Sequence, residues 1–226
     1  ITQATDDRIF MVAELLRRGE SVDRIFGLTR IDRFFLEKIR HITELEKTLS
    51  EKPFDLNELA WVKKYGFGDK AVAKLWKCTE KQVRDLRLEA GIRPVYKAID
   101  SCASEFDAYI PYYYSTYGEE NESRPDYGKK KIIVLGAGPI RIGQGVEFDY
   151  STVHAISTIK RSGYEAIIIN NNPETVSTDY TTSDKLYFEP LTPEDVMNIV
   201  DLEKPEGVIA SLGGQTAINL AQPLKD

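Results

Sequence analysis

The chain has 226 residues, of which 42% are hydrophobic and 29% charged, and these proportions are typical of globular proteins rather than disordered or fibrous ones. At roughly 100–200 residues per domain, this length allows one medium domain or two small ones. The net charge of −6 disfavours a protein that binds nucleic acid through a basic surface.

Membrane and disulfide-rich classes are disfavoured as well. No apolar run approaches the roughly 18–20 residues of a membrane helix. Cys78 and Cys102 lie apart, without a Cys-x-x-Cys motif or neighbouring histidines, so neither a disulfide framework nor a zinc site is indicated. We therefore expect a cytoplasmic protein with no membrane contact and no bound metal. The chain begins at Ile1 without a methionine or a signal peptide, and we expect it to be a piece of a longer protein.

Charge and apolar spacing both change about halfway along the chain. Residues 1–100 carry 20 basic and 17 acidic side chains, whereas residues 101–226 carry 10 and 19. Apolar residues recur with helical spacing before about Lys97 and in strand-length runs after Lys129. These changes predict two domains joined by a polar linker: an all-helical domain with a trailing connection at 1–117, the linker at 118–128, and a parallel α/β domain at 129–226.

Five or six short helices are predicted in the first domain. Capping-box spacing at Asp55–Glu58 and Thr79–Gln82 marks two helix starts, because each box satisfies two otherwise unpaired backbone N–H groups. Residues 71–92 also have the pattern of a helix-turn-helix, whose second helix would present Lys81, Arg84 and Arg87 to DNA. Since residues 68–91 carry only six basic against four acidic side chains, we favour an ordinary packing unit over DNA binding.

Strands and helices alternate in the second domain, which predicts a parallel sheet. Its first strand, Lys131–Leu135, runs into a glycine-rich loop, and such a loop before a helix can bring backbone N–H groups to an anion. A dinucleotide site would need a third glycine where this chain has Arg141, and an acidic residue where it has Asn170. A free-standing Rossmann nucleotide-binding protein is therefore the second choice. The remaining predicted elements are a helix to about Arg161, strands at Ala166–Asn170, Leu186–Phe188 and Gly207–Ser211, and a helix at Pro193–Asp201.

A longer string around this loop is far more specific than the glycines alone. Residues 138–150 read Gly-Pro-Ile-Arg-Ile-Gly-Gln-Gly-Val-Glu-Phe-Asp-Tyr, which closely resembles the large subunit of glutamine-dependent carbamoyl phosphate synthetases. The resemblance continues at residues 172–179 (Asn-Pro-Glu-Thr-Val-Ser-Thr-Asp) and 213–216 (Gly-Gly-Gln-Thr). It extends upstream through Leu28–Arg33 and Pro94–Lys97, so it covers essentially the whole chain.

The resemblance implies a fold and a place in a larger enzyme. In that family a helical oligomerisation domain joins two ATP-grasp synthetase halves. This chain would then be a central fragment in which an all-α helical oligomerisation domain is followed by a Rossmann-like parallel α/β domain, the pre-ATP-grasp domain of the second half. The implied partners are the small glutaminase subunit and the rest of the large subunit, and self-association through the helical domain is possible. No nucleic acid is expected as a partner.

The resemblance also implies the reaction. One ATP phosphorylates bicarbonate, ammonia from glutamine then gives carbamate, and a second ATP phosphorylates carbamate in the second half, for pyrimidine and arginine biosynthesis. The ATP-grasp lid and its metal-binding carboxylates would follow Asp226. We therefore expect no catalytic residue and no bound cofactor here, with ATP and Mg or Mn used by the intact enzyme.

Carbamate reaches the second half of that family through an interior passage, and Arg141, Glu147 and Glu174 match positions at its receiving end. An arginine can offer a planar pair of donors to carbamate, and carboxylates can accept hydrogen bonds from its nitrogen. The alternative is that Arg141 and one glutamate form a buried ion pair that braces the loop. Four glycines would shape the loop for close backbone approach, or serve helix-to-sheet packing instead: Gly136, Gly138, Gly143 and Gly145.

Overall fold

A computed structural model describes residues 1–103, 105–106 and 110–225. Its internal contacts divide the chain into two compact units, Ile1–Ile92 and Arg93–Asp226. The all-α domain followed by a Rossmann-like α/β domain, predicted from the sequence, is confirmed. The boundary lies earlier than predicted, because residues 93–117 belong to the α/β unit and not to the helical one.

Within residues 1–92, all of which the structure describes, six α-helices form the first unit. Thr79 makes the predicted capping box with Gln82, whereas Asp55 caps its helix alone, since Glu58 pairs with Lys52 instead. The longest helix packs against the helices on either side of it in sequence. The six helices are α1 (Arg8–Arg17), α2 (Val22–Thr29), α3 (Arg33–Glu51), α4 (Leu56–Lys63), α5 (Asp69–Trp76) and α6 (Glu80–Glu89).

A buried ion cluster ties α4, α5 and α6 together. The Asp69 carboxylate lies 2.5 Å from Lys63 Nζ and 2.8 Å from Arg87 Nε, and all three side chains are almost completely buried. Arg87 therefore cannot reach a DNA groove, which removes one of the three basic residues on which a helix-turn-helix interpretation depended. Its charge is compensated inside the unit, where an unpaired cation would be strongly destabilising.

Among the described residues of the second unit, six strands form one sheet in the order β1-β2-β5-β4-β3-β6. Only β1 and β2 are antiparallel, and the other neighbours are parallel. The strands are β1 (Val95–Ala98), β2 (Tyr112–Thr116), β3 (Lys131–Leu135), β4 (Glu165–Asn170), β5 (Lys185–Phe188) and β6 (Gly207–Ile209). The helices are α7 (Tyr150–Arg161), α8 (Pro193–Glu203), α9 (Gly214–Ile218) and α10 (Ala221–Lys225).

Helices cover both faces of this sheet. Alternate residues of β4 point to opposite sides, so Ile167 packs with Val196 and Ile199 of α8, while Ile168 packs with Ile156 of α7. Burial on both faces explains why β3 and β4 are almost continuously apolar. The predicted cap and proline at the start of α8 are present, with Thr192 Oγ1 accepting the Asp195 backbone N–H at 3.3 Å.

The predicted linker at residues 118–128 is mostly exposed, as expected, but hydrogen bonds attach it to the second unit. The backbone N–H of Glu122 donates to Tyr96 O at 2.8 Å, and the Ser123 hydroxyl lies 2.7 Å from the Tyr187 hydroxyl in the interior. The tyrosine run before it forms strand β2, with Tyr113 buried. Aromatic and β-branched residues favour strands. The tyrosine run therefore forms a strand, although the segment that follows it is polar and acidic.

Candidate functional site

The glycine-rich loop leaves β3 at the carboxyl edge of the sheet. Its first residue continues the strand ladder, because the Gly136 backbone N–H donates to Ile169 O at 2.8 Å. The segment that follows β4 starts at the same edge, since β3 and β4 are parallel. In open parallel sheets ligands bind in the crevice outside the carboxyl ends of the strands, so this edge is the candidate site.

Asparagine side chains at the end of β4 form hydrogen bonds with the backbone of the glycine-rich loop. Asn170 Oδ1 accepts the backbone N–H of Gly138 at 3.0 Å and that of Asn172 at 3.3 Å. The Asn172 side-chain amide donates in turn to Gly138 O, also at 3.3 Å. From the sequence, Asn170 was considered only because an acidic residue is absent at its position. Its position at the tip of the strand beside a glycine loop was the available signal for this contact.

Close packing accounts for some of the loop glycines and not for others. A Cβ on Gly136 would lie 2.5 Å from the Asn170 side chain, and Gly138 has a φ of +66° with Asn171 Oδ1 3.0 Å from its Cβ position. Gly143 faces open space, and at Gly145 the nearest atom is Ile140 Cδ1 at 3.4 Å. Close approach thus fits the first two glycines better than the last two.

Gly213, which follows β6, is the most tightly packed glycine of this edge. A Cβ there would lie 2.2 Å from the backbone oxygen of Gly136, a distance that no side chain can occupy. From the sequence, Gly213 was identified only as part of a matching motif. A glycine pair after a short strand gives no indication that it packs on the backbone of a loop 77 residues earlier.

A π-helical turn, Gly145–Asp149, connects the loop to α7 and carries Glu147. Single π-turns at helix ends are frequent at functional sites. The Glu147 backbone is held at both ends: its N–H donates to Gln144 O at 3.2 Å, and its carbonyl accepts the Ser151 hydroxyl at 2.6 Å. Its side chain is exposed.

Arg141, Glu147 and Glu174 all lie on segments at the carboxyl edge, and all three are exposed. The Arg141 backbone N–H donates to Gln144 Oε1 at 3.0 Å, and the Glu174 N–H donates to Asn172 Oδ1 at 3.0 Å. Among the described side chains no ion pair joins Arg141 to either glutamate. The buried ion pair considered as an alternative is therefore absent from the described residues, and the edge presents one guanidinium and two carboxylates outward.

Asp149 connects the turn that carries Glu147 to the loop that carries Glu174. Its carboxylate accepts the backbone N–H of Val176 at 2.8 Å and that of Ser177 at 3.1 Å. From the sequence, Asp149 was identified as part of a motif and assigned no role. An acidic residue just before a helix indicates a local cap, and nothing in its position reveals a partner 27 residues away.

Glu189, directly after β5, is a buried carboxyl near the same edge. It accepts hydrogen bonds from the Ser115 backbone N–H and, at 2.9 Å, from the Ser115 hydroxyl. Burial is the main cause that raises its pKa to about 7; the nearby Asp195 also raises it, and the two hydrogen bonds from Ser115 oppose the shift. Glu189 was not identified as a candidate residue from the sequence.

The part of the chain that the structure describes holds no group of three or more His, Cys, Asp or Glu side chains placed to bind a metal ion. None of its helices combines the length and apolar character needed to cross a membrane. The candidate site consists of exposed polar side chains on and beside a loop that is tightly packed at Gly136 and Gly138.

Comparison with known families finds two matches, in the order of the two structural units. Residues 1–91 match a family model described as the carbamoyl-phosphate synthetase large chain oligomerisation domain. Residues 128–226 match one described as the carbamoyl phosphate synthase pre-ATP-grasp domain. Residues 92–127 lie outside both matches, although two segments of this range, Val95–Ala98 and Tyr112–Thr116, form strands β1 and β2 of the second unit's sheet.

Proposed function

The chain belongs to the carbamoyl phosphate synthetase large-chain family, and we propose that it links the two synthetase halves and forms the carbamate-receiving side of the second. The observation that carries this proposal is the placement of Arg141, Glu147 and Glu174. All three are exposed on segments at one sheet edge, in a domain of the pre-ATP-grasp type. Their functional groups suit a small anion that also carries an amide nitrogen.

The proposed chemistry is recognition and transfer rather than bond making. The Arg141 guanidinium offers a planar pair of N–H donors to the carbamate oxygens. The carboxylates of Glu147 and Glu174 accept hydrogen bonds from the carbamate nitrogen or from water. Carbamate is formed and phosphorylated elsewhere in the enzyme, so this chain alone is expected to be inactive.

The parent enzyme is proposed to be the glutamine-dependent synthetase. It would use ammonia from a small glutaminase subunit and two ATP with Mg or Mn, in the cytoplasm, and supply carbamoyl phosphate for pyrimidine and arginine biosynthesis. The match to an oligomerisation domain supports association within a larger assembly. The specific partners proposed are the glutaminase subunit, the rest of the large subunit and a second copy of the helical domain.

A free-standing nucleotide-binding protein receives less support from the geometry. The backbone N–H of Gly138, where a dinucleotide pyrophosphate would approach the loop, already donates to Asn170 Oδ1 at 3.0 Å. Thermal unfolding with NADH, NADPH and MgATP in turn tests this, because a ligand present at 100 times its Kd stabilises the fold by about 2.7 kcal/mol. We expect no shift in Tm with any of them. A shift with NADH or NADPH would favour a dehydrogenase.

The passage role is tested with Arg141→Ala in the intact synthetase. We expect bicarbonate-dependent ATP hydrolysis to continue while the carbamoyl phosphate formed per ATP falls, because carbamate is made but not received. Arg161→Ala is the matched control, since Arg161 is an exposed arginine at the far end of α7. Equal loss of both activities in Arg141→Ala, or an equal fall in yield in the control, would contradict the proposal.

A further inference from the structure

The Asp149 carboxylate spans two segments that are far apart in sequence. It accepts N–H groups from Val176 and Ser177 at 2.8 and 3.1 Å, the first two residues of a 3-10 turn at Val176–Thr178. The first N–H groups of such a turn lack partners within it. A carboxylate is well suited to them because the start of a helical turn is electropositive.

The loop that Asp149 holds is closed on itself by its own hydrogen bonds. Thr178 Oγ1 donates to Thr175 O at 2.7 Å and lies 3.1 Å from Pro173 O. The Tyr112 hydroxyl donates to Thr178 O at 2.6 Å and so attaches the far end of the loop to β2. Because the loop is internally fixed, its end near Glu174 moves as one piece with the turn that Asp149 binds.

Asp149 is also the last residue of the π-helical turn that carries Glu147. Its carboxylate thus sets the separation of two short, internally bonded segments, with Glu147 two residues before it and Glu174 two residues before Val176. Neither glutamate side chain has a hydrogen bond within the described residues that would position it instead. The spacing of the two exposed carboxylates then depends on this bridge.

We propose that Asp149 is a positioning residue for the carbamate passage, which keeps Glu147 and Glu174 at the separation that receives carbamate. This inference rests on the proposed function. Without the bridge the fold remains, but the two segments separate and carbamate escapes before it is phosphorylated. Misplacement of a supporting group by about 1 Å can cost up to ~100-fold in rate.

The experiment compares Asp149→Ala and Asp149→Asn in the intact synthetase supplied with ammonia. The readouts are bicarbonate-dependent ATP hydrolysis and carbamoyl phosphate formed per ATP. We expect hydrolysis within about twofold of wild type and a yield lowered roughly tenfold in Asp149→Ala, within the range for a displaced supporting group. Asp149→Asn keeps one acceptor oxygen and should lie between, which keeps the test valid if the alanine variant does not fold.

Asp184→Asn is the matched control. The Asp184 carboxylate also bridges two segments, accepting the Ala166 backbone N–H at 2.8 Å, but it lies where β4 and β5 begin. Asp184→Asn should lower the free energy of unfolding by an amount similar to Asp149→Asn and leave the carbamoyl phosphate formed per ATP unchanged. Equal uncoupling in this control, or a proportional loss of both activities in the Asp149 variants, would show a merely structural role and overturn the inference.

Glu174→Gln separates the two proposals. If it lowers the yield per ATP and the Asp149 variants do not, the positioning inference fails while the passage proposal stands. If neither Glu174→Gln nor the Asp149 variants change the yield, the passage proposal fails together with the inference that rests on it.

Discussion

Asn170 Oδ1 accepts the backbone N–H of Gly138 at 3.0 Å, and this bond joins the end of β4 to the loop that leaves β3. In a dinucleotide-binding domain an acidic side chain follows the second strand and binds a ribose. Here the equivalent strand end is bonded to the glycine loop itself. The loop backbone is therefore bonded to the protein rather than free to bind a nucleotide. This arrangement agrees with the proposed passage of a small anion along the exposed side chains of this edge.

Gly213→Ala is expected to destabilise the second unit severely. Its Cβ would lie 2.2 Å from Gly136 O, and because the clashing atom is backbone, the strand end must move. We expect a loss in the free energy of unfolding at or above the ~3 kcal/mol upper range of overpacking costs. Both tryptophans, Trp61 and Trp76, lie in the first unit, so tryptophan fluorescence would not report on the second. Hydrogen exchange of the β4 amides is therefore the suitable measurement.

Gly207→Ala is the matched control for that prediction. Gly207 is also a glycine at β6, its Cβ would have no atom within 4 Å, and its φ is not in the left-handed region. The substitution should be neutral or stabilising by about 0.5 kcal/mol, because it reduces the freedom of the unfolded chain. Similar protection of the β4 amides in both variants would contradict the packing argument.

Most elements of the fold could be predicted from the sequence, and the exceptions have a common cause. Strands such as Lys131–Leu135 were found because burial on both faces makes them continuously apolar. Strands β1 and β2 were not predicted because they are short and half polar, and because the pairing of β2 with β5 is a long-range contact. The resemblance supplied Arg141, Glu147 and Glu174, but Asp149 and Glu189 act through partners distant in sequence, which no local pattern reveals.

Glu203→Gln is expected to cost the second unit about 3–5 kcal/mol, as removal of one partner of a buried ion pair does. Burial alone would raise the pKa of Glu203, but hydrogen bonds from Lys131, Lys185 and Tyr187 hold its pKa below the usual value. Both Lys131 Nζ and Lys185 Nζ lie 2.8 Å from that carboxylate. The substitution removes the ion-pair partner of buried Lys131 and leaves Lys185 with only the more distant Glu165 carboxylate, at 3.9 Å. Urea unfolding followed by far-UV circular dichroism measures the loss.

Glu206→Gln is the comparison for that measurement. Glu206 pairs with Lys130 at 3.3 Å at the surface, where both side chains are about half exposed or more. Exposed pairs contribute about 0–1 kcal/mol, so this variant should unfold close to the wild-type urea midpoint. A loss in Glu203→Gln no larger than in Glu206→Gln would show that the buried network contributes little.

Glu189 is expected to make the second unit less stable as pH rises from about 4.5 to about 7. Its pKa is raised in the fold to about 7, so the folded state binds more protons than the unfolded state in this window, and stability falls with pH. At about 1.4 kcal/mol per pH unit, the full effect is on the order of 3 kcal/mol. Glu189→Gln should remove this slope in urea unfolding measured from pH 4.5 to 8.

The control for the pH profile is Glu119→Gln, which removes an exposed carboxyl from the same unit. It should keep the wild-type slope. Glu189→Gln should also be at least as stable as wild type at pH 7.5, because burial of a neutral amide does not carry the desolvation cost of a buried carboxylate. A Glu189→Gln variant that keeps the wild-type slope would assign the pH dependence to other groups.

Residues 93–127 are expected to be necessary for the second unit even though neither family match includes them. Lys185 Nζ donates to Arg124 O at 3.4 Å, and the Tyr187 hydroxyl contacts both Ser123 and Glu203. A protein of residues 128–226 would lose β1 and β2, expose β5 as a new sheet edge and open the buried network to water. Unpaired edges promote aggregation, so size-exclusion chromatography should show aggregates for 128–226 and a discrete folded species for 93–226. If both elute as folded proteins with equal urea midpoints, the two strands and the segment after them add no stability, and the domain begins where the family match does.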